Sequence, residues 1–339
     1  MRGTQKRAMK ATMNDDNKIM EKLCGLINDA QKIALFTHLS PDGDAMGSIL
    51  ALSHALRGLG KSCDAYCEDP APEKYAFLPG CDDIITESGN AGEYDLAIAV
   101  DAADELRLGV HEEFFSAVKK TACIDHHGTN SGYAHLNLID PARASASELV
   151  LSVIDALGVG VTQEIGMCLF VGVSTDTFHF SFNNTTRETL FAASRMVSPG
   201  MDMDALTGLL YRFRPLAKTR LIGQVLSGLK VHSGGRIVTM TSTEEERLSC
   251  GAIDEDYEGI INYGIESYGV HIAVLARSAN DGNDIKVSFR SKGAIDVAAL
   301  AASYGGGGHR NAAGCTVRGA DIESVISDIT EKAKGLLVE

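Results

Sequence analysis

The chain of 339 residues has no tryptophan, and aromatic residues make up only 6% of it. No stretch approaches the ~18 consecutive apolar residues that would suggest a membrane span. The first residues, MRGTQKRAMKATMNDDNK, include basic residues but no apolar core after them, so a secretory signal is not expected. We therefore expect a cytoplasmic protein that has no membrane partner.

Cysteine is present but never occurs as a C-x-x-C pair. The eight cysteines are scattered along the chain, and several of them, such as Cys123 and Cys168, lie in apolar runs. Buried, reduced thiols are the usual state of such residues in a cytoplasmic protein. A zinc site built on sulfur is therefore not expected.

The sequence also lacks an excess of positive charge. It has 31 Lys and Arg residues against 45 Asp and Glu residues, which gives a formal net charge of −14. A protein that coats long nucleic acid normally carries a basic stripe, so the charge argues against that class. A small anionic substrate stays compatible, because bound cations and a few well-placed arginines supply local positive charge.

Short apolar runs alternate with helical patterns in the first half of the chain. The patterns predict strands at 32–38, 62–69, 94–102 and 121–127, and helices at 47–60 and 144–158. The run 165–177 fits either a strand or a helix, and we favour the helix. Continuous apolar strands suit a parallel sheet that is covered on both faces. The alternation of strands and helices predicts the doubly wound α/β class.

The pattern changes in the second half of the chain. Residues 186–229 look helical, with interruptions at 198–200 and at Pro215, and we interpret this region as a linker. Further strands are predicted at 235–242, 268–278 and 283–291, with a last helix near 321–337. We therefore expect a mainly parallel α/β domain at 19–190, a helical linker at 191–228 and a smaller mixed α/β domain at 229–339.

Residues that bind hard metal ions follow several of the predicted strands or close an apolar run. They are His38, Asp42 and Asp44 within THLSPDGDAMGS (37–48), Asp101, the group Asp125, His126 and His127, and Asp176. In open parallel sheets, ligands bind beyond the carboxyl ends of the strands, so we expect these side chains at one edge. Turn chemistry explains the first of these clusters, a strand-end loop over 37–48, but not all four.

Charge favours a metal site at this edge. The five aspartates would repel one another and raise their own pKa values unless cations intervened. Mixed Asp and His ligands suit Mn²⁺, with Zn²⁺, Fe²⁺ or Co²⁺ as alternatives and Mg²⁺ less well matched. Two such ions ~3.5–4 Å apart activate water and clamp phosphate oxygens. The alternative is that these residues are helix N-caps and a hydrogen-bonded core histidine.

Five motifs resemble those of a known family. H-x-x-x-D-x-D (38–44), VDAAD around Asp101, IDHH (124–127) and STDT around Asp176 resemble the four motifs of the DHH phosphoesterase superfamily. GGGGHRNAAG (305–314) resembles the signature of the DHH-associated C-terminal domain. The resemblance runs from about residue 30 to the end of the chain, and it is strongest to the bacterial oligoribonuclease (nanoRNase) and pAp phosphatase type.

The resemblance implies a centre of two divalent cations, usually Mn²⁺, with Mg²⁺ and Co²⁺ as alternatives. One ion would be held by His38, Asp42 and Asp101, and the other by Asp44, Asp101, His126 and Asp176, so that Asp101 bridges. Asp125 would orient a histidine. His127 would face the substrate phosphate or the leaving oxygen.

The glycine run at 305–308 is either a flexible loop or a place where backbone N–H groups approach a phosphate. We expect the second, and the resemblance implies that this segment faces the metal site across a cleft. The predicted substrate-binding residues are Gly306, Gly307, Gly308, His309, Arg310 and Arg290. For Arg290, a surface ion pair is an equally weighted alternative, and His111, which precedes two glutamates, is expected to be solvated.

The implied activity is hydrolysis of short oligoribonucleotides, dinucleotides or pAp to nucleoside monophosphates by water that two metal ions activate. Three alternatives stay open: a type II inorganic pyrophosphatase, which lacks the glycine-rich His309 segment; a phosphodiesterase of cyclic dinucleotides or their products; and a nucleotide-binding regulator that does not cut. The expected partners are short RNA or small nucleotides, and a homodimer through the first domain is a further hypothesis.

Overall fold

The computed structural model describes residues 17–197, 200–280 and 282–337. Contacts within the chain divide it into two units, with the division between Leu210 and Tyr211. Each unit contains its own six-stranded sheet. The division falls inside the predicted helical linker.

The first unit is built on a parallel sheet with the strand order β3-β2-β1-β4-β5-β6. Its strands are β1 (Lys32–Phe36), β2 (Ser62–Tyr66), β3 (Ile84–Ile85), β4 (Leu96–Val100), β5 (Thr121–Asp125) and β6 (Leu136–Ile139). Its helices are α1 (17–29), α2 (Gly43–Gly58), α3 (Glu112–Ala117), α4 (Ala146–Ala156), α5 (Gln163–Asp176), α6 (Arg187–Met196) and α7 (Met203–Thr207). A π-helical turn, Gly208–Arg212, follows α7.

Both faces of this sheet are covered. Ile33 and Leu35 of β1 belong to a large apolar cluster with α2, α4 and α5, whereas Ala34 and Phe36 face a second cluster that α3 closes. Side chains alternate between the faces along a strand, so every position of β1 from Ile33 onward is buried. The predicted doubly wound parallel sheet is confirmed.

The strand order reverses between β1 and β4, since β2 and β3 lie on one side of β1 and β4 to β6 on the other. In doubly wound sheets, ligands bind beyond the carboxyl ends of the strands at this switch point. The segments that follow β1, β4 and β5 therefore meet at one crevice.

Two glycines let α2, α4 and α5 meet closely beside this crevice. A Cβ atom on Gly47 of α2 would lie 2.3 Å from the carbonyl oxygen of Cys168 in α5. A Cβ atom on Gly172 of α5 would lie 2.0 Å from Ser147 Oγ and 2.6 Å from Asp44 Oδ1. Any larger residue at either position would push these helices apart.

The predicted start of α2 at residue 47 is wrong, because the helix begins at Gly43. The Asp42 side chain caps it, since its Oδ1 atom accepts hydrogen bonds from the N–H groups of Asp44 and Ala45, each at 3.0 Å. The expected loop over 37–48 therefore ends at Asp42, and Asp44 lies in the first helical turn. The helix that we favoured at 165–177 is confirmed as α5.

The second unit contains a mixed sheet with the order β11-β12-β10-β9-β8-β7, in which only β8 and β9 run parallel. Its strands are β7 (Lys230–His232), β8 (Ile237–Ser242), β9 (Ile272–Ala279), β10 (Asp284–Ser291), β11 (Gly307–His309) and β12 (Ala312–Arg318). Its helices are α8 (Leu216–Ser227), α9 (Glu244–Ser249), α10 (Ile260–Ile265), α11 (Val297–Ala302) and α12 (Ile322–Lys334). The predicted mixed α/β class of this half is confirmed.

Helices pack on both faces of the second sheet. Helices α11 and α12 cover one face, and α8 and α10 cover the other. The glycine run ends in β11, a short edge strand that pairs antiparallel with β12, and the sequence patterns did not predict either strand. Among the described residues, no helix has the length and apolar character needed to cross a bilayer.

Candidate metal centre

Asp101 occupies the middle of the crevice in the first unit. It follows the last residue of β4 and has a left-handed backbone with φ of 58°, a conformation that Asp tolerates better than most residues. Its Oδ2 atom lies 3.7 Å from His38 Nε2, and its Oδ1 atom lies 3.5 Å from His126 Nε2. One carboxylate therefore faces two histidines, which come from the segments after β1 and β5.

A first group of potential ligands lies on the β1 side. His38 Nε2 is 3.8 Å from Asp42 Oδ1, and the ligand atoms of His38, Asp42 and Asp101 all lie within 4.8 Å of one another. The His38 ring is almost fully buried, whereas the Asp42 side chain is half exposed. These three residues would hold one cation.

A second group, Asp44, His126 and Asp176, meets the same distance limit. His126 Nε2 lies 3.2 Å from Asp176 Oδ2 and 3.9 Å from Asp44 Oδ2. Asp44 is fully buried, and it accepts N–H groups from the first turn of α4, at 2.5 Å from Ala146 and 3.0 Å from Ser147. Asp176 is the last residue of α5, where the helix dipole disfavours a carboxylate unless a cation lies nearby.

The metal-free centre contains carboxylates that the protein itself does not satisfy. Asp101 Oδ1 is buried and has no hydrogen-bond partner among the described residues. Burial, and after it the charge of Asp44, raises the pKa of Asp101 well above its usual range. Burial and the Asp176 charge likewise raise the pKa of Asp44 to about 7. A divalent cation would replace the protons that these groups otherwise retain, so the residues fit the metal that their ligand types predict.

The expected rise in pKa is found for Asp44 and Asp101, and it is wrong for Asp42 and Asp125. Burial raises the pKa of Asp42, but hydrogen bonds to His38 and to backbone N–H groups outweigh burial and bring the value to about 2. Burial acts in the same direction on Asp125, yet hydrogen bonds from His127 and Asn130 hold its pKa below the usual range. Each of these two carboxylates has a partner within the protein.

Asp125 and His127 form a pair beside the ligands. His127 Nδ1 donates to Asp125 Oδ1 at 2.8 Å, and Asn130 Nδ2 donates to Asp125 Oδ2 at 2.7 Å. Asp125 is fully buried, whereas the His127 side chain is 43% exposed. The pair fixes the ring orientation and leaves His127 Nε2 as the nitrogen that is free to contact a ligand.

Two opposing effects determine the pKa of His126. Burial lowers its pKa, but the hydrogen bond to Asp176 and the charge of Asp44 raise it more, to about 9. These neighbouring carboxylates therefore favour the protonated ring when no cation is bound. A metal ion that binds His126 must displace this proton.

The centre opens into a cavity of about 120 Å³. Six predicted site residues line this cavity: His38, Asp42, Asp101, His126, His127 and Asp176. Ala103 and Arg107 also line it, and the sequence did not single them out. Arg107 is the chemically important addition. Its only signal in the sequence is a single arginine in the otherwise acidic stretch DAADELR after Asp101.

In the second unit, two predicted substrate residues lie near one another across the edge of the sheet. Arg290 of β10 and His309 of β11 are both register partners of Ala312, the small residue on β12 between them. Residues directly opposite in antiparallel strands share a face, so both side chains lie on the same face of the sheet as Ala312. His309 is exposed.

Arg290 lacks the surface ion pair that was the alternative interpretation. Its side chain is half-buried and donates to the carbonyl oxygen of Phe289 at 3.0 Å, and no carboxylate of the described residues pairs with it. Burial lowers its pKa. A half-buried cation without an anion is a natural partner for a phosphate.

The other residues of this segment have structural roles of their own. A Cβ atom on Gly306 would lie 2.2 Å from the carbonyl oxygen of Gly314, and one on Gly308 would lie 2.6 Å from that of Ala312. Packing alone therefore requires glycine at both positions, whereas Gly307 has open space around it. Arg310 donates from Nε and from a terminal nitrogen to the carbonyl oxygen of Ala294, at 3.1 and 2.7 Å.

Comparison with known proteins connects these features to a family. The DHH family, N-terminal domain, matches residues 32–173, and the DHHA1 domain matches residues 247–338. A Thermus thermophilus protein named bifunctional oligoribonuclease and PAP phosphatase NrnA is 37% identical over 305 residues, which are 89% of each chain.

Solved structures show the same fold. An exopolyphosphatase-related protein from Bacteroides fragilis is 29% identical with a TM-score of 0.84, and the match covers 95% of this chain and 98% of the other. The exonuclease RecJ bound to manganese is 13% identical with a TM-score of 0.53, over 94% of this chain and 95% of the other. The second likeness concerns the fold alone.

Proposed function

The chain belongs to the DHH family, and on that premise we propose that it is a metal-dependent phosphoesterase that hydrolyses short oligoribonucleotides and pAp to nucleoside monophosphates. The relative named for both activities is similar over nearly the whole chain. The observation in the structure that carries the proposal is Asp101, a buried carboxylate with an unpartnered oxygen between two histidines.

The cofactor of this proposal is a pair of divalent cations, with Mn²⁺ first and Mg²⁺ or Co²⁺ as alternatives. One ion is assigned to His38, Asp42 and Asp101, and the other to Asp44, Asp101, His126 and Asp176. The two oxygens of Asp101 face different histidines, so this carboxylate would belong to both sets of ligands. When bound, such ions polarise phosphate oxygens and lower the pKa of water.

The protein's own groups then divide the remaining work. Asp125 keeps the His127 ring in place through Nδ1. His127 Nε2 faces the leaving oxygen and donates a proton to it as the P–O bond breaks. Asp44 is held by the N–H groups of α4, so the second cation position is fixed by the end of a helix rather than by a loop.

The second unit binds the rest of the substrate in this proposal. Its contacts are Gly306, Gly307, Gly308, His309, Arg310 and Arg290, within a substrate-binding domain at 229–339 that follows the catalytic domain at 19–190 and the linker at 191–228. Arg290 is half-buried and pairs with no carboxylate among the described residues, which supports this role. A cytoplasmic location agrees with the eight free cysteines, and a homodimer stays a hypothesis.

The experiment uses purified protein with Mn²⁺, and separately with chelator, on four substrates: pAp, a 5′-phosphorylated RNA dinucleotide, a long RNA and pyrophosphate. We expect turnover of the first two, lost with chelator and in an Asp101→Asn variant. Turnover of pyrophosphate alone would instead favour the pyrophosphatase. Tight nucleotide binding that ignores chelator, without turnover, would identify a regulator.

A further inference from the structure

Arg107 lines the metal cavity, and its backbone is fixed there. It lies in the 3₁₀ segment Glu105–His111, which follows β4. Its carbonyl oxygen accepts the N–H of Leu39 at 2.8 Å, and its own N–H donates to Asp104 Oδ1 at 3.2 Å. These bonds connect the segment after β4 to the segment after β1, so the side chain starts from a fixed position beside the ligands.

The guanidinium of Arg107 contacts a metal ligand in a way that cannot persist when metal binds. A terminal nitrogen of Arg107 lies 3.0 Å from His38 Nδ1, and the same Nδ1 lies 2.8 Å from the carbonyl oxygen of Leu39. Guanidinium only donates and a carbonyl only accepts, so one ring nitrogen satisfies only one of them.

Metal binding decides between these two contacts. With a cation held at His38 Nε2, the ring hydrogen would lie on Nδ1, and His38 would donate it to the carbonyl oxygen of Leu39. Arg107 thereby loses the acceptor of its only side-chain hydrogen bond within the described residues. Its donors are left facing a cavity that substrate must enter.

The cavity offers Arg107 no permanent anion. Asp42, Asp101 and Asp176 line the same space, yet no carboxylate of the described part of the chain forms an ion pair with the guanidinium. Once cations neutralise these carboxylates, the strongest available partner is an anionic oxygen of the ligand. The planar donors of arginine suit phosphate in particular.

We propose that Arg107 is a phosphate-binding residue: once His38 holds a cation through Nε2, the guanidinium leaves the imidazole and donates to a non-bridging oxygen of the phosphate group at the metal centre. This inference rests on the proposed function. The first unit then contributes the guanidinium of Arg107 to the scissile phosphate, in addition to the contacts proposed for Arg290 and His309 of the second unit.

The test compares Arg107→Gln and Arg107→Lys with Arg195→Gln in the full chain loaded with Mn²⁺. Arg195 lies on α6 and pairs with Asp155, so its variant makes the same charge change away from the cavity. Three quantities are measured: kcat and KM on pAp and on the phosphorylated dinucleotide, the affinity for AMP and for inorganic phosphate by calorimetry, and the affinity for Mn²⁺ by electron paramagnetic resonance.

We expect kcat/KM of Arg107→Gln to fall by about 10²-fold, as when one donor to a developing oxyanion is removed. Affinity for AMP and phosphate should weaken by about tenfold or more, since one hydrogen bond to a charged group is lost. Arg107→Lys should recover part of both, and Arg195→Gln should match the wild type. Affinity for Mn²⁺ should stay unchanged in all variants.

Phosphate affinity retained in Arg107→Gln overturns the inference whatever the turnover, and so does a wild-type protein that binds no phosphate. A parallel loss of Mn²⁺ affinity also overturns it, because Arg107 would then only support His38. If the wild type hydrolyses neither nucleotide but Arg107→Gln loses phosphate affinity, the inference stands and the proposed function fails.

Discussion

The two sheets of this molecule present their candidate functional residues in opposite ways. In the first unit all strands are parallel, so the segments after β1, β4 and β5 meet at one edge, where acids and histidines form groups of three whose ligand atoms lie within 4.8 Å of one another. In the second unit the sheet is mixed, and the candidates are Arg290 on β10 and the continuous run 306–310, which includes the edge strand β11. The parallel sheet brings the potential metal ligands together at one edge, whereas the candidates on the mixed sheet are potential contacts to substrate.

The chemistry of the two regions differs in the same sense. Burial raises the pKa of carboxylates in the first unit, notably Asp44 and Asp101, so that region is short of positive charge. In the second unit burial lowers the pKa of Arg290, which has no anion among the described residues. We therefore expect the first region to bind cations and the second to bind an anion, as the proposed phosphoesterase requires.

The largest effect on activity is expected at Asp101, in the first unit. Asp101→Asn removes the carboxylate between the two groups of ligands, and we expect kcat/KM to fall by roughly 10³-fold or more, because cation binding and charge stabilisation are lost together. Metal content by mass spectrometry should fall in the same variant. Asp155→Asn, at a surface ion pair, serves as the control. Full activity with a full metal complement in Asp101→Asn would contradict the assignment.

A substitution in the second unit should weaken substrate binding without affecting metal binding. Arg290→Gln removes the proposed phosphate contact, so we expect KM for pAp to rise by about tenfold while Mn²⁺ affinity stays at the wild-type value. Arg318→Gln is the matched control, since Arg318 lies on the neighbouring strand β12 with a highly exposed side chain. A change in metal affinity, or an unchanged KM, would mean that the two regions do not divide the work as described.

Two glycines test how tightly each unit is packed. Gly172→Ala would place a methyl group against Ser147 and Asp44, so we expect a loss of about 1–3 kcal/mol in the free energy of unfolding and weaker Mn²⁺ binding. A Cβ atom added to Gly223 of α8 would meet no atom within 4 Å, so Gly223→Ala should gain about 0.5–1 kcal/mol. Chemical denaturation measures both, and equal effects would contradict the packing argument.

The smallest effect concerns pH. In the metal-free protein the pKa of Asp44 is raised from 3.8 to about 7, and that of His126 from 6.5 to about 9. Each raised value contributes stability that is complete below the ordinary pKa and is lost as pH rises through the raised one. We therefore expect the gain in Tm on adding Mn²⁺ to widen between about pH 5.5 and 8.5. A gain that does not change with pH would be evidence against these shifts.

The fold was largely predictable because the relevant signals are local. Strand and helix patterns alternate, and the acids fall directly after the strands that carry them to one edge. The start of α2 was missed because Pro41, Asp42 and Gly43 are good turn formers in isolation. Tertiary packing reverses that preference, since Gly47 allows contact with the backbone of α5 and Asp42 caps the first turn.

The parts of the site that were missed depend on contacts between distant segments. The role proposed for Arg107 depends on its contact with His38, which lies 69 positions earlier in the chain. His111 was expected to be solvated beside two glutamates, and that prediction was wrong. It is fully buried, bonds to Ser88 Oγ at 2.9 Å and packs on the Phe36 ring. A single sequence contains no local signal for such contacts.

The central claim is that cations held around Asp101 make this protein a phosphoesterase. Its most direct test is to titrate metal-free protein with Mn²⁺ and to follow bound metal and pAp hydrolysis in the same samples. The account predicts that activity is absent without metal, rises with occupancy and saturates with two ions bound per chain. Hydrolysis by the metal-free protein, or two bound ions without any hydrolysis of pAp or of the dinucleotide, would contradict it.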